Sequence, residues 1–204
     1  MTQLSNLNHQ QESALYLLQN HHPVDDKERS DLERMQRFIA HQPDCYGKAN
    51  TRAHVTGSAF LLDPSNRLLL TFHGKLDRWL QLGGHSDDDD LSPAETALRE
   101  AREESGLPDV VFHPAFGDLP IDVDIHTIPG RQTEPAHEHL DFRFVCLTRR
   151  PEKIVTSAES KHLDWWTIDS GLDLGFDPAL KRALGKIRRQ LMNLSSDGHR
   201  SEPS

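Results

Sequence analysis

Residues Gly83 to Leu107 read GGHSDDDDLSPAETALREAREESGL, and the second half of this run admits little besides a short α-helix. Ser92 is a capping residue, Pro93 fits the first helical position and Glu95 completes a capping box. Gly106 can adopt the left-handed conformation that closes a helix. Between these ends Ala94, Ala97, Leu98 and Ala101 recur at i, i+3, i+4 and i+7, a narrow apolar stripe suited to close packing. The opposite side carries Glu100, Glu103 and Glu104 within one arc. Like charges at these spacings cost roughly 0.2–0.5 kcal/mol per pair. The helix dipole disfavours anions in the last turn by about 0.3–1 kcal/mol each. Arg99 is the one local cation that can pair with Glu95 or Glu103. A carboxylate cluster retained against its own repulsion points to a divalent cation, because hard cations take oxygen ligands.

The surrounding frame is more specific than the cluster. Gly84, Arg99, Glu100, Ala101, Glu103, Glu104, Gly106 and Leu107 together resemble the Nudix box, the loop–helix–loop motif of the Nudix hydrolases. The family places a further glutamate six residues after the second glycine and eight before the arginine. Here the two counts land on Asp90 and Leu91, so the loop is one residue longer. The resemblance implies an α/β/α sandwich with a mixed sheet and Mg²⁺ (or Mn²⁺) held by Glu100, Glu103, Glu104 and the Gly83 carbonyl. It also implies that Arg99 holds a glutamate in place. Glu159, six residues before Trp165, sits where several family members carry a loop glutamate acting as metal ligand or general base. The implied activity is metal-dependent hydrolysis of a pyrophosphate bond in a nucleoside diphosphate linked to another group. A non-catalytic nucleotide-binding regulator is the alternative; an isoprenoid diphosphate isomerase ranks last, since the expected cysteine and glutamate are not in place.

The remaining chain is patterned to match an α/β class. Residues 1–50 read as helices. Ala14, Leu15, Leu17 and Leu18 precede the His21-His22-Pro23 stop, and a second cap at Asp25 and Glu28 leads to Leu32, Met35, Phe38 and Ile39. These helices form a cap on the main domain or a homodimer surface. Strands are expected at 55–62 and 67–72 around an Asp63-Pro64-Ser65-Asn66 turn, and at 79–82, 110–116, 121–126, 140–147 and 163–168. The alternation Ile121-Asp122-Val123-Asp124-Ile125-His126 predicts one face in water. A final helix opens at Asp177-Pro178, buries Leu180, Leu184, Ile187, Leu191 and Leu194, and shows a basic outer face. The expected division is a helical extension over 1–50, the main domain over 51–194 and a disordered tail over 195–204.

Net charge is −9, which gives no electrostatic help toward the phosphate backbone and argues against bulk nucleic-acid binding. A small phosphorylated substrate is still compatible, with metal ions bridging like charges. Cys45 and Cys146 are far apart and lack ligand spacing, so buried thiols in a reducing compartment are expected. No apolar run is long enough to span a bilayer, and the chain's start lacks a signal pattern; the expected location is the cytoplasm.

Lys75 and Arg78, directly ahead of the glycines, are candidates for phosphate contact, with Trp79 more simply a core residue. His137 and His139, near Asp141 and His126, are candidates for the substrate side. A His-x-His pair can also bind a transition metal, but this stretch shows no further ligand spacing. Glu138 is a lesser candidate base. Of Asp87 to Asp90, Asp90 is the one expected to approach the metal site.

Overall fold

The computed structural model describes residues 7–47, 50–74, 77–87, 89–130, 135–155 and 162–197. Helices α1 (His9–Gln19) and α2 (Asp26–His41) lead into strands β1 (Ala53–Leu62), β2 (Arg67–His73), β3 (Arg78–Leu80) and β4 (Leu82–His85). Helix α3 (Pro93–Ser105) follows, then β5 (Val111–Phe112), β6 (Asp122–Ile128), β7 (His137–Leu147), β8 (Leu163–Thr167), the short α4 (Ile168–Leu172) and α5 (Pro178–Asp197). The strands run β3-β2-β1-β7-β5, with β4 also on β1, β6 on β7 and β8 on β2. The β1–β7 pair is parallel and the others are antiparallel, so the sheet is mixed.

Strand β1 is buried along its whole length because both of its faces are covered. On one side Val55, Ala59 and Leu61 join Leu140, Phe142 and Phe144 in a core shared with α1, α2 and α3. On the other, Phe60, Leu62 and Val145 pack with Leu180, Leu184 and Ile187 of α5. Helical layers on both sides make the α/β/α sandwich, with the two N-terminal helices added to one layer. Helix α3 lies tightly on β1 at Gly57, where a Cβ would stand 2.5 Å from the Pro93 carbonyl oxygen. Ser92 Oγ accepts from Glu95 N–H and Gly106 sits at φ 69°, as the sequence predicts, but the capping box is not closed: Glu95 Oε2 accepts from the Leu91 N–H at 2.9 Å in place of the Ser92 N–H.

Expectations for β6 and for α5 are corrected. The polar face of β6 is not wet: Asp122 and Asp124 are buried. They meet cations brought by distant elements. Arg143 of β7 reaches Asp122 at 3.3 Å and Asp124 at 3.1 Å, and Arg182 of α5 reaches Asp122 at 2.7 Å. Lys27 of α2 reaches Asp124 at 2.5 Å. Lys186 joins Asp122 to the buried Glu28 of α2. The outer face of α5 is therefore not where all its cations lie, since Arg182 and Lys186 point inward. Leu194, expected in the core, is exposed. Helix α5 runs to Asp197, three residues into the stretch read as tail. Buried polar groups are tolerated when each has a charged or hydrogen-bonding partner, and this network supplies them.

Candidate active site

Strand β4 and helix α3 form one unit. The Gly83 N–H donates to Glu104 Oε2 at 2.9 Å. The Glu100 carboxyl lies directly over Gly84, where a Cβ would come within 2.5 Å of Glu100 Cδ. Arg99 Nη2 donates to the His85 carbonyl at 2.7 Å. The same guanidinium binds Asp90 through Nη2 at 2.8 Å and Nε at 3.2 Å, and through Nη1 reaches Glu100 and Glu103, each at 3.1 Å. Asp90 also accepts from Thr96 Oγ1 and the Asp87 N–H, so it is the anchor of Arg99 and of its own loop. Asp90, expected to approach the metal site, is engaged by Arg99 and does not line the adjoining cavity. Burial alone would raise the Asp90 carboxyl, but Arg99 and the other donors hold it below the usual carboxylate range. Glu100 goes the other way: burial pushes it up and Arg99 only partly opposes this.

All of these residues except Asp90 and Thr96 line a cavity of about 840 Å³. Glu100, Glu103 and Glu104 share it with Gly83, Gly84, Asp87 and Arg99, and Arg78 contributes from β3. The sheet supplies Thr56, Ser58, His126, His137, His139, Asp141 and Arg143. Trp79 does not line it; its ring packs edge-on against Phe72 and Trp166, at 5.5 and 5.4 Å between centroids. Glu138 is turned away to a 3.0 Å ion pair with Arg34 of α2. Lys75 and Glu159 lie outside the described residues.

The sequence profile of the NUDIX domain matches residues 52–185. The chain belongs to the Nudix family. As a Nudix member it is a hydrolase of pyrophosphate bonds. No curated protein sequence matches it significantly. Among solved structures it is similar to an Ap4A hydrolase of C. elegans in a binary complex: 13% identity, TM-score 0.51, covering 68% of this chain and 98% of that one. It is also similar to the Nudix hydrolase RenU of M. smegmatis: 18% identity, TM-score 0.50, covering 69% and 87%. Among the described residues no helix of this Nudix protein is long and apolar enough to cross a membrane.

The Nudix sheet also gathers histidines that the sequence does not place together. In the parallel register His54 stands opposite His139, and Thr56 opposite Asp141. Across β4 Thr56 stands opposite His85, and across β6 His126 opposite His139. Directly opposed residues share a sheet face, and so do residues two apart, so these side chains and His137 all point one way. His54, His85, His137 and His139 offer ring nitrogens that lie within 4.8 Å of one another. Burial and the surrounding imidazoles hold His139 down at about 2, so its ring is neutral. His137 and His139 line the cavity, and His54 and His85, which the sequence does not single out, join them in the cluster. The available signal was parity: His54, Thr56 and Ser58 give β1 a polar face before Phe60, matching His137, His139 and Asp141 before Val145.

Proposed function

We propose that this protein is a Mg²⁺- or Mn²⁺-dependent pyrophosphohydrolase that cleaves a nucleoside diphosphate linked to another moiety. The observation that carries the reading is the seating of Glu100, Glu103 and Glu104 on one rim of the cavity, two of them locked onto the Gly83-Gly84 backbone. The donor set fits a hard divalent cation: three carboxylates from one helix face, with the Gly83 carbonyl as the further oxygen ligand that the family resemblance implies. A divalent ion held there neutralises a diphosphate and activates water.

The chain's own residues divide the remaining work. Glu100, Glu103 and Glu104 would hold the cation, with Glu159 as a further ligand. Arg99, fixed by Asp90 and the His85 carbonyl, keeps Glu100 and Glu103 from splaying apart. Arg78 is exposed at the cavity wall and can meet phosphate oxygens through its planar fork, with Lys75 three residues before it in sequence. The polar sheet face, with His137 and His139, would take the remainder of the substrate. The proton acceptor is one of the box glutamates or Glu159, and the geometry of a bound substrate decides between them.

The test is a screen of purified protein with Mg²⁺ and Mn²⁺ against nucleoside triphosphates, dinucleoside polyphosphates, nucleotide sugars, NADH and coenzyme A. Cleavage of at least one class, abolished by chelation, is the expected result. Ligand-induced thermal stabilisation without product over hours supports a nucleotide-binding regulator instead.

A further inference from the structure

We propose that His54, His85, His137 and His139 form a second metal site, specific for a nitrogen-preferring transition ion such as Zn²⁺ and separate from the carboxylate site. The proposal does not depend on which pyrophosphate is cleaved. It rests on four imidazoles from three strands whose ligand nitrogens lie within 4.8 Å of one another. Tetrahedral Zn²⁺ with four imidazole ligands at its usual bond length needs nitrogens about 3.3 Å apart, since each bond is about 2.0–2.1 Å. His85 Nε2 and His139 Nε2 already stand 3.1 Å apart. The other pairs stand up to 4.8 Å apart and would close on an ion by ring rotation.

A second observation points the same way. His54 Nδ1 lies 3.2 Å from the Asn50 carbonyl oxygen, and His137 Nδ1 lies 3.0 Å from that of Pro135. A carbonyl oxygen only accepts, so each Nδ1 carries a proton, and Nε2 is the nitrogen left to ligate an ion. That arrangement, one ring nitrogen donating to a backbone carbonyl, is the one that orients histidines for metal binding. His85 is fixed differently: its carbonyl accepts from Arg99, which holds the residue in place between the two sites.

The donor sets sort the ions. Imidazole nitrogens favour Zn²⁺, Co²⁺ or Ni²⁺ over Mg²⁺, whereas the glutamates favour hard cations. Four protein ligands also close the site, so the ion would tie β1, β4 and β7 together, and His137 and His139 would meet the substrate through the ion's fixed positive charge on the sheet face opposite the acidic rim, not as bare imidazoles.

The experiment measures zinc by elemental analysis after loading the whole protein with Zn²⁺ and dialysing it against excess Mg²⁺. One equivalent per chain is expected to persist. It should be lost in His85→Asn and His139→Asn, and kept in Glu103→Gln and Glu104→Gln. Co²⁺ in place of Zn²⁺ should give the intense visible bands of a four-coordinate nitrogen site, a readout on the wild-type protein that stands even where a histidine variant fails to fold. Three results overturn the proposal: zinc near background in the wild type, zinc unaffected by the histidine variants, or zinc lost with the glutamate variants. Weak Co²⁺ bands of six-coordinate oxygen type overturn it as well.

Discussion

The Glu100 carboxyl occupies the space in which a side chain on Gly84 would stand: an added Cβ would lie 2.5 Å from Glu100 Cδ. The glycine of the motif is thus half of a contact whose other half is a proposed metal ligand sixteen residues further along the chain. The neighbouring Gly83 holds Glu104 by a hydrogen bond, its N–H donating to Oε2 at 2.9 Å.

Replacing Gly84 with alanine should displace the Glu100 carboxyl by about an ångström, and misplacement on that scale costs about a hundredfold in rate. The expected outcome is a large loss of kcat, with a melting temperature close to that of wild type. Unchanged kcat in the folded Gly84→Ala protein would show that Glu100 need not stay where it is.

Asp90 supports the same rim from behind. In Asp90→Asn the charge-assisted bonds to Arg99 weaken, and hydrogen bonds to charged groups are worth about 1.5–3 kcal/mol. Denaturant titration should show a stability loss of that order. Activity should fall as well, because Arg99 then no longer fixes the Glu100 and Glu103 carboxylates.

Much of the site was legible because its signals are local. The Ser92 cap, the alanine stripe and Gly106 specify α3 without reference to the rest of the chain, and the glutamate arc follows from helix periodicity. Two features were not legible for one shared reason. The alternation in β6 looks amphipathic until Arg143, Arg182, Lys27 and Lys186 arrive from three other elements to cover Asp122 and Asp124. The histidine group likewise exists only once β1, β4 and β7 are in register. Sequence pattern reports what a residue's own element does with it, not which partner another element brings.

The buried network also sets a pH dependence. Burial by itself would raise the Glu28 carboxyl, yet His21, Lys186 and the Val24 N–H hold it far below the ordinary range. Asp124 is lowered in the same way, by His126, Arg143 and Lys27 against the effect of burial. A carboxyl depressed in the folded state stabilises the protein above its unfolded pKa, near 4 for these residues, and loses that contribution as the pH falls toward the folded value. Thermal unfolding should therefore shift steeply downward as the pH drops below about 5. Glu28→Gln should cost about 3–5 kcal/mol at neutral pH, as removal of one partner from a buried pair does. It should also flatten that acid-side slope.

Arg78 sits at the cavity wall and is exposed, so its loss should leave the fold intact. Arg78→Ala is expected to raise KM severalfold for a phosphorylated substrate with little change in melting temperature. An unaltered KM would remove Arg78 from the binding surface.

The central claim is that the α3 carboxylates hold the ion on which hydrolysis depends. It is tested most directly by comparing turnover of wild type and Glu104→Gln on one cleaved substrate, with and without Mg²⁺, after circular dichroism has shown both to be folded. The account predicts turnover only for the wild type with metal, and a loss of at least about a hundredfold in the variant, on the scale of removing one preorganised electrostatic group. Full activity of a folded Glu104→Gln protein, or undiminished wild-type turnover in the presence of chelator, would contradict it.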